Sequence, residues 1–338
     1  MEGSRRLEII KRNAAEIITL EALEKLLAEK KKITAYYGTA PTGPVHIGHL
    51  ATLTKIFDFS EAGIRNKILI ADLHAALDDL KSPWSEINKR AEYYKKCIEL
   101  ALPWRIKPKI FLGSDFQLNY DYMLDVLKMS STTTVTRALR AASEVCRLKE
   151  PKVSEVIYPL MQALDEQYLD ADIQIGGMDQ RHIMVYAREY LPKIEYKSRV
   201  EIIMPLITSL KGPGVKMSSS MPETHIKVYD SEESIKEKLR NAYCPAGIVK
   251  DNPLLQICGT VLFPLNNKIK IEREAKFGGD IMFASYPELE ANFTANKLHP
   301  LDLKNAVSSE LTKTFARARQ YFEKHADMLE NLGKNFMP

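Results

Sequence analysis

The stretch Ala35-Tyr-Tyr-Gly-Thr-Ala-Pro-Thr-Gly-Pro-Val-His-Ile-Gly-His-Leu50 decides how the rest of the chain is read. Apolar Ile33 to Tyr37 predicts a buried strand, Gly38 to Gly43 a turn, and everything from Val45 onward a helix. A strand that feeds a glycine turn into a helix start leaves backbone N–H groups unpaired. It also turns the positive end of the helix dipole outward, which suits a phosphate. His46 and His49 fall at i and i+3 on one face of the first turn, and Gly48 between them leaves room for a flat group to approach the backbone. A plain turn with two capping histidines fits the same letters equally well. The stretch is neither a P-loop, since no Lys-Ser or Lys-Thr follows the last glycine, nor the dinucleotide G-x-G-x-x-G pattern.

The string His46-Ile-Gly-His49 resembles the signature shared by adenylate-forming nucleotidyl transferases and class I aminoacyl-tRNA synthetases. A second string, Leu210-Lys-Gly-Pro-Gly-Val-Lys-Met-Ser-Ser-Ser220, is a glycine and proline loop. It presents Lys216 with Ser218, Ser219 and Ser220, one cation beside three hydroxyls, to an anion. The pair is similar to the two-signature pattern of class I synthetases, whose second part reads Lys-Met-Ser-Lys-Ser; Ser219 stands where the second lysine is usual.

Composition narrows the class without choosing a function. With 338 residues, 45% hydrophobic and 27% charged, the chain is an ordinary folded protein of roughly two domains. No apolar run is long enough for a membrane span, and the basic N-terminus lacks the apolar core of a signal peptide, so a cytoplasmic location is expected. Cys97, Cys146, Cys244 and Cys258 lie far apart with no C-x-x-C, which predicts reduced thiols and no protein-bound metal. A net charge of +4 permits an acidic partner such as RNA without requiring one.

Leu7, Ile10, Ala14, Ile17 and Ile18 follow helical spacing, as do Leu20, Leu23, Leu26 and Leu27, with Thr19 as an N-cap between them; residues 1–32 are expected to be packing helices. Strands are predicted at Lys67 to Ala71, Lys109 to Leu112 and Asp172 to Ile175, with a helix from about Pro83 to Leu100. This alternation predicts an α/β fold, a doubly wound parallel sheet of Rossmann type over 33–228, with ligands at the carboxyl ends of the strands. Phe116 to Tyr168 reads as helical and carries Arg137, Arg140 and Arg147, which could hold the phosphates of an RNA stem. On its last helix Tyr158, Gln162 and Asp165 occupy i, i+4 and i+7, so a phenol, an amide and a carboxylate share one face. A buried polar stripe of that kind either joins an internal network or lines a polar pocket. Gly176 and Gly177 then break a strand, which lets the backbone approach a ligand. Asp179 is placed to accept from ribose hydroxyls and Gln180 to donate to a carboxylate; a plain turn with solvent-facing polar residues is the alternative. From about Ser231 charged amphipathic helices predominate, predicting an all-helical C-terminal domain over 229–338, with no domain after Pro338.

Over essentially its whole length the chain resembles the tyrosyl-tRNA synthetases of archaeal and eukaryal type. Besides both signatures, Tyr158-Pro-Leu-Met-Gln162, Gly176-Gly-Met-Asp-Gln-Arg181, Tyr243-Cys-Pro-Ala-Gly247, Phe277-Gly-Gly-Asp280 and His299-Pro-Leu-Asp-Leu-Lys-Asn305 fit that family. The resemblance implies ATP with Mg²⁺, tyrosine and a tRNA as substrates, and tyrosyl-adenylate as the intermediate. It places His46, His49, Lys216 and Ser218 to Ser220 on the reacting phosphate, and Gly38, Gly48, Gly176, Gly177 and Asp179 around the ATP. Tyr158 and Gln162 would take the ammonium of tyrosine and Gln180 its carboxylate. Tyr36 and Asp165 would bond its phenol hydroxyl, with Asp165 accepting, while His74 and Gln117 flank the ring. Arg137, Arg140 and Arg181 would contact tRNA. Phe277 and His299 would sandwich an anticodon guanine whose edge bonds Asp302. Family members pair through the catalytic domain, which implies a homodimer here, with the inserted helical region at about 116–150 as its dimer and acceptor-stem surface. The rivals are a tryptophanyl-tRNA synthetase, a small-molecule adenylyl transferase and a silent RNA-binding paralogue.

Overall fold

The computed structural model describes residues 3–78, 81–146, 150–215, 217 and 221–337. In chain order it forms α1 (Gly3–Lys11), β1 (Glu16–Ile18), α2 (Leu20–Glu29), β2 (Thr34–Thr39), α3 (Ile47–Leu53), α4 (Lys55–Glu61), β3 (Arg65–Ile70), α5 (Asp72–Leu77), α6 (Ile87–Ala101) and β4 (Lys109–Leu112). There follow α7 (Tyr120–Thr132), α8 (Val135–Ala142), α9 (Val153–Tyr168), β5 (Ile173–Gly177), α10 (Arg181–Tyr190) and β6 (Val200–Met204). The remainder holds α11 (Glu232–Arg240), α12 (Pro253–Ile257), α13 (Phe263–Asn266), β7 (Ile269–Ile271), β8 (Ile281–Phe283), α14 (Tyr286–Thr294), α15 (Pro300–Lys324) and α16 (Ala326–Glu330).

Two compact units result. One is built from Met1–Thr42, Asp58–Lys95 and Ile106–Leu206, the other from Gly43–Phe57, Lys96–Arg105 and Ile207–Pro338. The first holds a six-stranded sheet in the order β1-β6-β5-β2-β3-β4, parallel throughout except for β1. Residues of β5 and β6 are buried on both faces, as the central strands of a parallel sheet are. From β2 the chain winds outward to β3 and β4, then returns to lay β5 on the other side of β2. The order therefore reverses between β2 and β5, where such sheets open a crevice at their carboxyl ends.

Several expectations are corrected. Ile17 and Ile18 are not helical: α1 stops at Lys11, Asn13 takes a left-handed conformation (φ 59°), and Ala15 N then donates to Ile203 O (2.8 Å), so the segment becomes the antiparallel edge strand β1. Thr19 occupies the N-cap of α2, but its hydroxyl makes no capping bond. The helix after the glycine turn begins at Ile47, not Val45. Val45 O accepts from Val228 N (3.2 Å) and Ile47 N donates to Ile226 O (2.8 Å), which holds Val45 and His46 extended. The helical run from Phe116 is interrupted twice, and Thr134 caps α8 by accepting from Arg137 N (3.2 Å). In the second unit the helices are joined by one hairpin, β7 paired antiparallel with β8.

Candidate active site

In the first unit, side chains converge on the carboxyl ends of the strands. Asp72, directly after β3, is fully buried. Its Oδ1 accepts from Leu73 N (3.0 Å) and Ser114 N (2.9 Å) and its Oδ2 from Ser114 Oγ (2.6 Å), which locks the turn that follows β4. A Cβ at Gly113 in that turn would lie 2.4 Å from Gln117 Oε1, so glycine is what lets Gln117 fold inward. There Gln117 Nε2 donates to Asp165 Oδ1 (2.7 Å) and lies 3.5 Å from His74 Nδ1. The Tyr122 hydroxyl, with one proton to give, is 2.9 Å from the same Asp165 oxygen and 2.7 Å from Met161 O.

Asp165 is 1% exposed, and that burial pushes its carboxyl up to about 8; the bonds from Gln117 and Tyr122 oppose the shift and the Asp72 charge adds to it. Its Oδ2 makes no hydrogen bond among the described residues. Burial likewise holds the His74 ring down at about 4, so it is neutral at pH 7, packed edge-on against Tyr158 (4.7 Å between centroids) with Nε2 unpaired. Tyr36, on β2, is also buried. Its hydroxyl lies 2.9 Å from the Gln174 carbonyl oxygen when that amide is turned to satisfy all its neighbours, with nitrogen toward Glu166 Oε1 (2.6 Å) and Glu201 Oε2 (3.2 Å). Gln162 Nε2 donates to Gln180 Oε1 (3.1 Å), and Gln180 Nε2 to Asp179 Oδ2 (3.0 Å), forming a polar chain at the end of β5.

The second unit holds the histidines. His46 is the N-cap of α3. Its Nδ1 accepts from Gly48 N (3.1 Å) and His49 Nδ1 accepts from His46 N (3.2 Å), a reciprocal capping box. With Nδ1 accepting, the neutral His46 ring carries its proton on Nε2, whereas His49 Nδ1 also lies 3.3 Å from His46 O and can accept from His46 N or donate to that oxygen. The His225 ring stands 4.8 Å from that of His46. Burial and mutual proximity drive His46 well below its usual range, and burial takes His49 and His225 to about 4, so all three are uncharged at neutral pH. Gly48 makes room for its own neighbour: a Cβ there would lie 2.8 Å from the His46 ring.

Tyr36, His74, Gln117, Tyr158, Gln162, Asp165, Asp179 and Gln180 are thus carried on the first unit, and His46, Gly48 and His49 on the second. A Cβ at Gly38 would be tolerated, 3.5 Å from the Tyr36 ring, whereas Cβ positions at Gly176 and Gly177 would meet Met184 and Asp179 of the chain itself. Lys216, Ser218, Ser219 and Ser220 lie outside the described residues, as does Arg147. Arg181 makes a bidentate pair with Glu16 (2.6 and 2.8 Å); Arg137 pairs with Glu189 (2.7 Å); Arg140 is exposed. Phe277 is 60% exposed and so is no part of a core. Its loop is tied to the segment leading into α15 by Arg273, which donates to Gly279 O (3.0 Å) and Lys297 O (3.4 Å). His299 caps α15 through Leu301 N (3.1 Å), and Asp302 lies in its first turn, half-buried. Tyr122, Gln174, Glu166, Glu201 and His225 were not anticipated. The signal for two of them was present: Gln174 and Glu201 are polar residues inside otherwise apolar strands. Among the described residues, Asp78, Cys146 and Glu155 form the one buried group close enough to share a cation, and Lys81 Nζ already lies 2.5 Å from Asp78 Oδ2.

A mostly parallel sheet with this order and the His46-Ile-Gly-His49 helix start fit a class I aminoacyl-tRNA synthetase. The family model for class I tRNA synthetases (W and Y) matches residues 28–316, and the chain belongs to that family. It is 46% identical over 322 residues to the tyrosine–tRNA ligase of Archaeoglobus fulgidus, covering 95% of this chain and 98% of the relative. It is 43% identical over 321 residues to that of Methanopyrus kandleri, with the same two coverages. The crystal structure of the Archaeoglobus fulgidus tyrosyl-tRNA synthetase complexed with L-tyrosine superposes with a TM-score of 0.90 at 44% identity, over 94% of this chain and 99% of that one. The enzyme from Aeropyrum pernix gives 0.85 at 36%, over 97% of each.

Proposed function

We infer that the chain is a tyrosine–tRNA ligase: it activates tyrosine with ATP to tyrosyl-adenylate and pyrophosphate, then passes the tyrosyl group to the 3′ end of tRNA(Tyr). The observation that carries the choice of amino acid is the buried Asp165 carboxyl, supported by Gln117 and Tyr122 at the crevice where Tyr36 also ends. We propose that Tyr36 and Asp165 bond the phenol hydroxyl, that Tyr158 and Gln162 receive the ammonium, and that Gln180 receives the carboxylate. His74 and Gln117 flank the ring. A phenylalanine side chain would leave those buried polar groups unpaired, which is the strongest basis for rejecting an analogue that lacks a hydroxyl.

The reaction needs no covalent enzyme intermediate, so the residues act by positioning and by stabilising charge on the transferring phosphate. We assign that role to His46, His49 and Lys216 with Ser218, Ser219 and Ser220. The histidines act there as neutral rings, because burial keeps them uncharged. Gly38, Gly48, Gly176, Gly177 and Asp179 are assigned to ATP, which arrives with its Mg²⁺, and no protein-bound metal enters the reaction. We further propose residues 1–32 as helices packing on a catalytic domain 33–228, and 229–338 as the anticodon-binding domain that uses Phe277, His299 and Asp302. Arg137, Arg140 and Arg181 contact tRNA. Exposed Leu118, Tyr120, Leu127 and Val135 form the apolar face of a homodimer within 116–150. No helix among the described residues is long and apolar enough to cross a membrane, and a cytoplasmic site of action is proposed. ATP–pyrophosphate exchange across the twenty amino acids tests the assignment. Exchange is expected with tyrosine alone, and exchange that depends on tryptophan contradicts it.

A further inference from the structure

The last residues of the chain reach the histidine motif through two buried donors. After α16, Gly333 takes a left-handed conformation (φ 96°) that turns the chain back, and Phe336 is buried, 3% exposed. Two backbone carbonyls are thereby presented to residues 225–229. Phe336 O accepts from the Tyr229 hydroxyl (2.7 Å) and Met337 O accepts from Lys227 Nζ, and both donor residues are buried. A buried hydroxyl needs an acceptor, and a buried ammonium needs one more. Asp230 Oδ2 accepts from Lys227 N (2.9 Å) and from Lys238 Nζ, so the Lys227 ammonium is left to Met337 O.

The same residues carry the start of α3. Val228 N donates to Val45 O (3.2 Å), Ile47 N donates to Ile226 O (2.8 Å), and Lys227 stands opposite His46 in an antiparallel bridge. His225 is fully buried, with its ring 4.8 Å from that of His46. Residues 225–229 are thus held by the C-terminal segment and in turn hold His46, by backbone and by ring, and all of these bonds lie within the second unit. We propose that residues 333–337 are a strut for adenylate formation: through Tyr229 and Lys227 they fix the extended backbone from which His46 caps α3. Tyr229, Lys227 and Phe336 are then positioning residues that act through His46. This rests on the reading that His46 acts on the transferring phosphate. A misplacement of about 1 Å at a reacting centre can cost roughly 100-fold in rate, so the loss of one strut bond is large enough to be read. The residues proposed for tyrosine are carried on the first unit, so the effect belongs in kcat and not in the tyrosine KM.

Two substitutions in the full chain test the strut. Phe336→Ala empties the buried site that seats the segment. Tyr229→Phe deletes one oxygen and leaves the ring against Phe322 of α15 (4.8 Å between centroids), so it is the milder change and decides the matter where Phe336→Ala does not fold. In ATP–pyrophosphate exchange at saturating tyrosine and ATP, each should lower kcat by about three- to tenfold, the size of one buried hydrogen bond, with the tyrosine KM within about twofold of wild type. Phe336→Leu, which refills the site, should recover most of the loss seen in Phe336→Ala. Because both variants cut one connection, the double variant should be about as slow as the slower single one. Wild-type kcat in either folded variant would overturn the proposal, as would losses that multiply in the double variant or a loss confined to KM. Failure of the underlying reading shows separately, as unaltered exchange in His46→Ala.

Discussion

Asp165→Ala removes the group on which the choice of amino acid is argued to depend, and its effects separate cleanly. For stability, Tyr122 keeps a partner in Met161 O at 2.7 Å, but Gln117 Nε2 loses its acceptor inside the protein. One orphaned buried donor costs about 1–3 kcal/mol, so the variant should fold with a lowered melting temperature. For tyrosine, the hydroxyl loses a hydrogen bond to an ionisable partner, worth about 1.5–3 kcal/mol, or roughly 10- to 150-fold in KM. The reacting carboxylate lies at the other end of the amino acid, so kcat at saturating tyrosine should move little. For phenylalanine the same deletion leaves one buried polar group fewer for the ring to strand. The ratio of kcat/KM for tyrosine over phenylalanine should therefore fall by at least the factor lost for tyrosine. Pyrophosphate exchange with each amino acid measures it directly, and a ratio within twofold of wild type would remove Asp165 from the recognition of the hydroxyl.

Three further outcomes are expected. Lys216→Ala should slow tyrosyl-adenylate formation in single turnovers while leaving tyrosine affinity nearly unchanged; unaltered exchange rates would exclude the Lys216 loop from phosphate chemistry. Asp302→Ala and Phe277→Ala should each weaken tRNA charging with adenylate formation intact, by about 1–3 kcal/mol where a stacked base is lost, and equal damage to both steps would rule out an anticodon role. The His74 ring, held near 4 in the folded protein against about 6.5 unfolded, takes up its proton more readily when unfolded. Stability should decline as pH falls from about 6.5 toward 4, by up to about 3 kcal/mol from this ring. Thermal melts of His74→Phe should show a shallower acid slope, and an identical slope would contradict a neutral His74.

The sheet was legible wherever continuous apolar runs met glycine turns. Lys109 to Leu112 was read to the residue, although β4 is a partly exposed edge strand, and the strands at Tyr36 and Ile175 within two or three positions; β6, buried on both faces, was not read, since Glu201 interrupts its apolar run. Edge pairing was not legible. Ile17 and Ile18 continue the helical spacing of Leu7 and Ile10, and only the tertiary partner β6 turns them into a strand. The β7 and β8 hairpin was hidden for the same reason, each strand being three residues long. At the site, Tyr158, Gln162 and Asp165 announced themselves by sharing a helix face, whereas Tyr122 reaches Asp165 from a helix 43 positions away with no local signal. His46 and His49 take the capping reading of their motif. They cap α3 through Nδ1.

A crystal structure with L-tyrosine bound tests the central claim most directly. The account predicts the phenol oxygen within hydrogen-bonding distance of both Tyr36 Oη and Asp165 Oδ2, with the ammonium at Tyr158 and Gln162. A phenol oxygen that contacts neither Tyr36 nor Asp165 would contradict it.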